Sequence, residues 1–340
     1  MTRTKIWMMV MVFSGMAASA EEKNHNGAQY QVLCDLIKAG ANKWREVRRR
    51  EPTDTLRKAL KMTLFGYGTV ETLETLKSGL PKDYDDVEDT QESRDLWCGQ
   101  PFYDDYGAPD RWPGYSALHD MVCLCTAGEN GWPVNESKTS TNKDKLCGQD
   151  RTALKAEGGQ GWGYTRHKEN AHVEATWNVT VTPCLDGDGK EEGLKEALKS
   201  FIGALKLMPS TGNRNGTQLG EGSPDKDHAC TGTSTRGVCV EYYPNITDGK
   251  TWWVDLDEAL KKEEQIQKQH EEEEKRKQKE REQKTDETHT EALKSGSPNT
   301  KQTEAPNKDN LTEKLRKLNL TSGTLISQPS SWLLSVAILI

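Results

Sequence analysis

The chain is poor in aromatic residues, which make up 7% of its 340 positions, and only 33% of it is hydrophobic. Mean hydropathy is correspondingly low, at −0.85. The two apolar stretches, residues 6–13 and 332–340, lie near the ends. Each is far shorter than the ~20 residues that a helix needs to cross about 30 Å of hydrocarbon, so neither is a membrane-spanning helix. A basic excess is missing too. With 46 Lys and Arg against 53 Asp and Glu, the net charge of −7 disfavours a phosphate-binding surface, and no nucleic-acid partner is expected.

Chemistry-bearing motifs are equally scarce. There is no Cys-x-x-Cys, no His-Glu-x-x-His and no Gly-x-Ser-x-Gly. His167 and His172 are five apart and so do not share one helical face, which removes the remaining case for zinc. The glycines of GGQGWG (158–163) lack the Lys-Ser/Thr of a phosphate loop. Asp186-Gly-Asp-Gly opens like a calcium loop, but Lys190 takes the next ligand position and a turn is the better reading. Arg48, Arg49 and Arg50, flanked by Glu46 and Glu51, read as a helix end in solvent. No catalytic, cofactor-binding or metal-binding residue is therefore assigned.

What the chain does have is eight cysteines: Cys34, Cys98, Cys123, Cys125, Cys147, Cys184, Cys230 and Cys239. An even number in an exported chain predicts four disulfides. Cys123 and Cys125 are too close for an easy mutual bridge and should tie to separate partners. Cys230 and Cys239 enclose a Gly- and Thr-rich stretch suited to a closed loop. Sequons at Asn135, Asn178, Asn215, Asn245 and Asn310 are glycosylation candidates, Asn178 and Asn245 the better ones. A sixth, Asn319, lies close to the lipid site assigned below and should stay bare.

The ends explain the export. Arg3 and Lys5, an apolar core and the small triplet Ala18-Ser19-Ala20 form a secretory signal peptide over residues 1–20, with Glu21 starting the mature chain. At the other end, small Ser322, Gly323 and Thr324 precede an uncharged spacer and the apolar tail. That order predicts a glycosylphosphatidylinositol (GPI) lipid on Ser322 and removal of residues 323–340, while bulky Leu320 disfavours Asn319 as the attachment site. The protein should sit on the outer leaflet of the plasma membrane.

Between the ends, the spacing of Leu33, Leu36, Ile37, Trp44 and Val47 predicts an amphipathic helix over 28–47. Leu56, Leu60 and Leu64, then Val70, Leu73 and Leu76, predict a second, capped by Thr53 or Asp54 and interrupted at Gly66 and Gly68. The two should pack side by side. Residues 83–183 read as an irregular, disulfide-pinned lobe, and a third helix is expected over 191–207. From 255 to 284 the chain is nearly all charge. Pairs such as Glu271 with Lys275 and Glu273 with Lys277 favour a solvated helix, and 285–310 should be disordered. The expected division is a head over 21–254, a polar spacer over 255–322 and a removed signal over 323–340.

The segments DLWCGQP (95–101), CLCTAG (123–128), LCGQD (146–150), GWG (161–163), VTPCLDG (181–187) and GLKEALKSFIGALK (193–206), in this order between two processed ends, resemble the B-type N-terminal domain of trypanosome variant surface glycoproteins, in forms lacking a separate cysteine-rich C-terminal domain. The resemblance implies a mainly α fold with two long antiparallel amphipathic helices and a disulfide-rich irregular lobe. It further implies a homodimer packed laterally with identical copies into a coat that faces host antibodies, shields the membrane and supports antigenic variation. A related GPI-anchored receptor for a host serum protein is the alternative, and a tethered enzyme a third class.

Overall fold

The computed structural model describes residues 22–69, 71–85, 87, 94–101, 110–134, 143–163, 171–186, 193–208, 216–223, 229–244 and 251–294, the last with side chains to 282. The chain divides into two units, residues 1–272 and 273–340. The first holds α1 (Gly27–Val47), α2 (Thr55–Phe65), α3 (Leu73–Lys77), α4 (Arg94–Cys98), α5 (Ala117–Cys125), α6 (Ala171–Thr176), α7 (Leu194–Gly203) and the start of α8 (Trp252–Lys294). Strands are short: β1 (Asn24–His25) pairs in parallel with β2 (Lys145–Leu146), and β3 (Lys206–Leu207), β4 (Thr217–Glu221) and β5 (Val238–Tyr242) form an antiparallel sheet in that order. The fold is mainly α.

Helix α1 buries Leu33, Leu36, Ile37, Ala41, Trp44 and Val47, the stripe that its three- and four-residue spacing implies. Trp44 meets Phe65 of α2 edge to face, with ring centroids 5.2 Å apart. Asp54 is the N-cap of α2, its Oδ1 accepting from Arg57 N at 2.8 Å. The second helical region is not continuous: α2 stops at Gly66, whose φ of 67° is left-handed. A Cβ there would lie 2.0 Å from the ring of Tyr115, so only glycine fits. The apolar stripe resumes in α3 as a separate short helix.

The lobe is less irregular than expected. It contains α4, α5 and α6, and α5 is its centre, with all nine residues buried. Helix α7 also ends early, at Gly203, because Lys206 and Leu207 pair with Gln218 and Thr217 as an edge strand. At the other end, α8 begins at Trp252, before the expected head boundary, and continues through Lys294, beyond the expected start of disorder at 285. Trp252, Leu256 and Ala259 are buried in the core.

Candidate functional site

The disulfide-pinned lobe around α5 is the chemically densest part of the described molecule. The helix starts where the side chain of Ser116 accepts from His119 N at 3.2 Å, and it ends against a buried cation. Arg94, 0% exposed, donates from Nη1 to Thr126 O and Trp162 O (3.0 and 2.8 Å) and from Nη2 to Cys123 O (2.6 Å). Its guanidinium also lies 4.9 Å from the centroid of the Trp162 ring. The last carbonyls of a helix lack intrahelical partners and carry its negative end, so a forked cation there satisfies both hydrogen bonding and dipole. Glycines allow the neighbouring chains to cross: a Cβ on Gly161 would lie 2.0 Å from Gly128 O, and one on Gly128 would lie 2.0 Å from Gly232 O.

Asp120 joins three elements to α5. Its carboxylate accepts from Gly114 N (2.9 Å), Tyr242 Oη (2.9 Å) and Trp252 Nε1 (2.6 Å), which links the lobe to β5 and α8. Burial pushes its pKa up to about 7 against the pull of the three donors. The neighbouring His119 is held neutral, with its pKa driven down to about 3 by burial. Its Nδ1 faces the Tyr84 hydroxyl at 2.9 Å and its Nε2 faces Trp97 O at 2.9 Å, so Nε2 carries the proton and donates to the carbonyl. On β5, Glu241 is also pushed up to about 7 by burial, while the Tyr243 hydroxyl donates to its Oε1. Asp120 and His119 are thus engaged by structural partners and form no nucleophile–base pair with each other. Among the described residues no group of His, Cys, Asp and Glu could hold a metal ion.

All eight cysteines are paired, as Cys34–Cys184, Cys98–Cys123, Cys125–Cys147 and Cys230–Cys239. Cys123 and Cys125 therefore do go to separate partners, anchoring α5 to α4 on one side and to the residue after β2 on the other. Cys34–Cys184 fastens α1 to the turn after α6. Of the sequons, Asn178 is exposed in the helical turn at 177–181, whereas the hydroxyl of Thr180 is buried and donates to Thr176 O at 2.7 Å. Asn135, Asn215, Asn245, Asn310 and Asn319, Ser322, and the segments 1–20 and 323–340 lie outside the described residues. Asp186 pairs with Lys77 at 2.6 Å. Arg48 and Arg49 are exposed, but Arg50 is half-buried and reaches Glu263 of α8 at 3.0 Å, so that cluster is only partly solvent-facing.

Sequence reasoning missed Arg94 and Asp120. Arg94 directly precedes the DLWCGQP segment and Asp120 lies just upstream of CLCTAG, yet nothing in their spacing marks them as buried. The one available signal was α5 itself, an apolar run, LHDMVCLC, with charge only at His119 and Asp120.

Among the described residues no helix is long and apolar enough to cross a membrane. None of the curated proteins compared matches the chain significantly. A family model described as the trypanosomal VSG domain matches residues 38–282, well over half of the chain, and spans the lobe, all four disulfides except the Cys34 end of one, and most of α8. The chain therefore belongs to the trypanosomal VSG domain family, a family of surface coat proteins and not of enzymes.

Proposed function

We propose that the protein is a GPI-anchored coat glycoprotein that shields the parasite plasma membrane and presents a replaceable surface to host antibodies. The observation that carries the reading is the family match over residues 38–282, on a head whose cysteines are all paired. Two features agree with it. The buried titratable groups serve packing, and the chain leaves the head through a helix whose side chains from Gln267 to Glu282 are exposed and mostly charged, as a spacer requires. In this reading the lipid is on Ser322, residues 1–20 and 323–340 are removed, and the head works as a homodimer packed laterally among identical copies.

Surface copy number is the discriminating measurement. A coat protein dominates the cell surface, and a phosphatidylinositol-specific phospholipase releases it. A low copy number with retained release would favour a receptor for a host protein. A C-terminal peptide extending through Trp332 would refute processing. Asn178 is the glycan site favoured by exposure. Because the Thr180 hydroxyl is buried in the fold, the glycan must be attached before the 177–181 turn closes, and Asn178→Gln should lose the mass of one glycan.

A further inference from the structure

A cavity of about 690 Å³ opens between the end of α2, α3, the turn at 78–83 and the start of α5. That volume falls within the ~300–1,000 Å³ of small-molecule sites. Its wall is apolar where Leu64, Phe65, Leu76, Leu118 and Trp177 line it. The indole N–H of Trp177 is already spent on Leu76 O at 3.0 Å, so no donor on that ring is left for a ligand. Its charged lining is Lys82, Asp83 and Arg111, one net positive charge.

Arg111 is the informative residue. It is only 6% exposed, its guanidinium lies 4.5 Å from the centroid of the Tyr84 ring and 4.8 Å from that of Tyr115, and its Nη2 donates to Asp83 at 2.7 Å. Its Nε–H, fully buried, has no partner among the described residues. A buried donor left unpaired is costly, and a cation buried with one half-exposed carboxylate is under-compensated. An apolar cavity with an under-compensated guanidinium among its lining fits a small amphipathic anion, in which the tail fills the Leu64–Trp177 side and the head group pairs with Arg111. We propose that this cavity binds a medium-chain carboxylate through Arg111, a ligand site separate from the coat function.

Titration calorimetry of the full-length, disulfide-intact protein tests this with decanoate, and with decanol and decylammonium as neutral and cationic probes of equal chain length, all below their aggregation concentrations. Decanoate should bind at one site, decanol at least roughly tenfold more weakly, and decylammonium not measurably. Thr75 is an exposed rim residue, so Thr75→Trp should block decanoate while leaving the ligand-free thermal midpoint unchanged. Arg111→Lys should weaken decanoate by roughly ten- to a hundredfold and leave decanol as it was. No saturable decanoate heat, decanol binding as tightly as decanoate, or a folded Thr75→Trp protein that binds like the parent would each overturn the proposal.

Discussion

Arg94 and Asp120 bring charge into the interior by different means. Arg94 is surrounded by carbonyl oxygens at a helix end, which compensate a cation, and Lys cannot reproduce the fork that reaches Cys123, Thr126 and Trp162 together. Arg94→Met should therefore cost about 3–5 kcal/mol in urea unfolding, because several buried acceptors lose their donor at once. Arg94→Lys should cost less but remain clearly destabilising. Asp120 is surrounded by donors without a cation, and burial outweighs them, so its pKa rises to about 7 from an ordinary 3.8. A raised carboxyl pKa means that the folded state binds the proton more tightly than the unfolded chain. Its contribution is fully present below the unfolded value, near pH 4, and is lost as pH rises through about 7. Glu241 adds the same slope. Glu221 opposes it at the acid end, since its bond to His25 holds its pKa below the usual carboxylate range. The measurement is the difference between parent and Asp120→Asn: unfolding midpoints of the parent should decline between pH 4 and 7 more steeply than those of the variant. Parallel profiles would refute the titration of Asp120.

At the scale of elements, α8 shows how one helix can have two energetic characters. Its first two turns bury Trp252, Leu256 and Ala259, and Glu263 and Glu264 reach Arg50 and Lys195 at 3.0 and 2.8 Å. Further along, Glu273 and Lys277 pair at 2.8 Å with both side chains about half exposed, a contact that solvent and salt leave with little weight. Truncation after Glu272 should thus leave the thermal midpoint of the head unchanged, whereas Trp252→Ala should cost about 3–5 kcal/mol. A large fall on truncation would mean that the distal helix docks. The same contrast shows what the sequence could disclose. Helices α1 and α7 have one-sided apolar patterns that residue periodicity locates, and the solvated part of α8 is marked instead by its i,i+4 charge pairs. Helix α5 is buried all round, so its pattern has no polar face and reads as part of an irregular lobe. The interruption at Gly66 is legible as a glycine in a helical run, but the Tyr115 ring that leaves room only for glycine comes from far along the chain, and β3 exists because β4 supplies an edge, which is not a local cause either. The Asp120 node is illegible for the same reason, since Gly114, Tyr242 and Trp252 meet only after folding.

For the molecule as a whole, the disulfides set how much chain the unfolded state is allowed to explore. Cys34–Cys184 closes a separation of 150 residues and Cys230–Cys239 one of 9. Two other bridges, spanning 25 and 22 residues, are nested inside the larger loop and shorten its effective length to about 100. Chain entropy then makes the large bridge worth about 2 kcal/mol more than the small one, because the gain grows as the logarithm of loop length. All four cysteines are buried, at 3% exposure or less, so replacing either pair by alanine leaves similar packing defects and the comparison isolates the loop. The double variant C34A/C184A should unfold at a distinctly lower denaturant concentration than C230A/C239A, with both below the parent. Denatured, unreduced parent protein should meanwhile show no reactive thiol. Equal midpoints for the two double variants would mean that the unfolded chain stays compact enough for the long-range bridge to confer no extra advantage. In that case local packing around α5, and not covalent closure, would hold the head together.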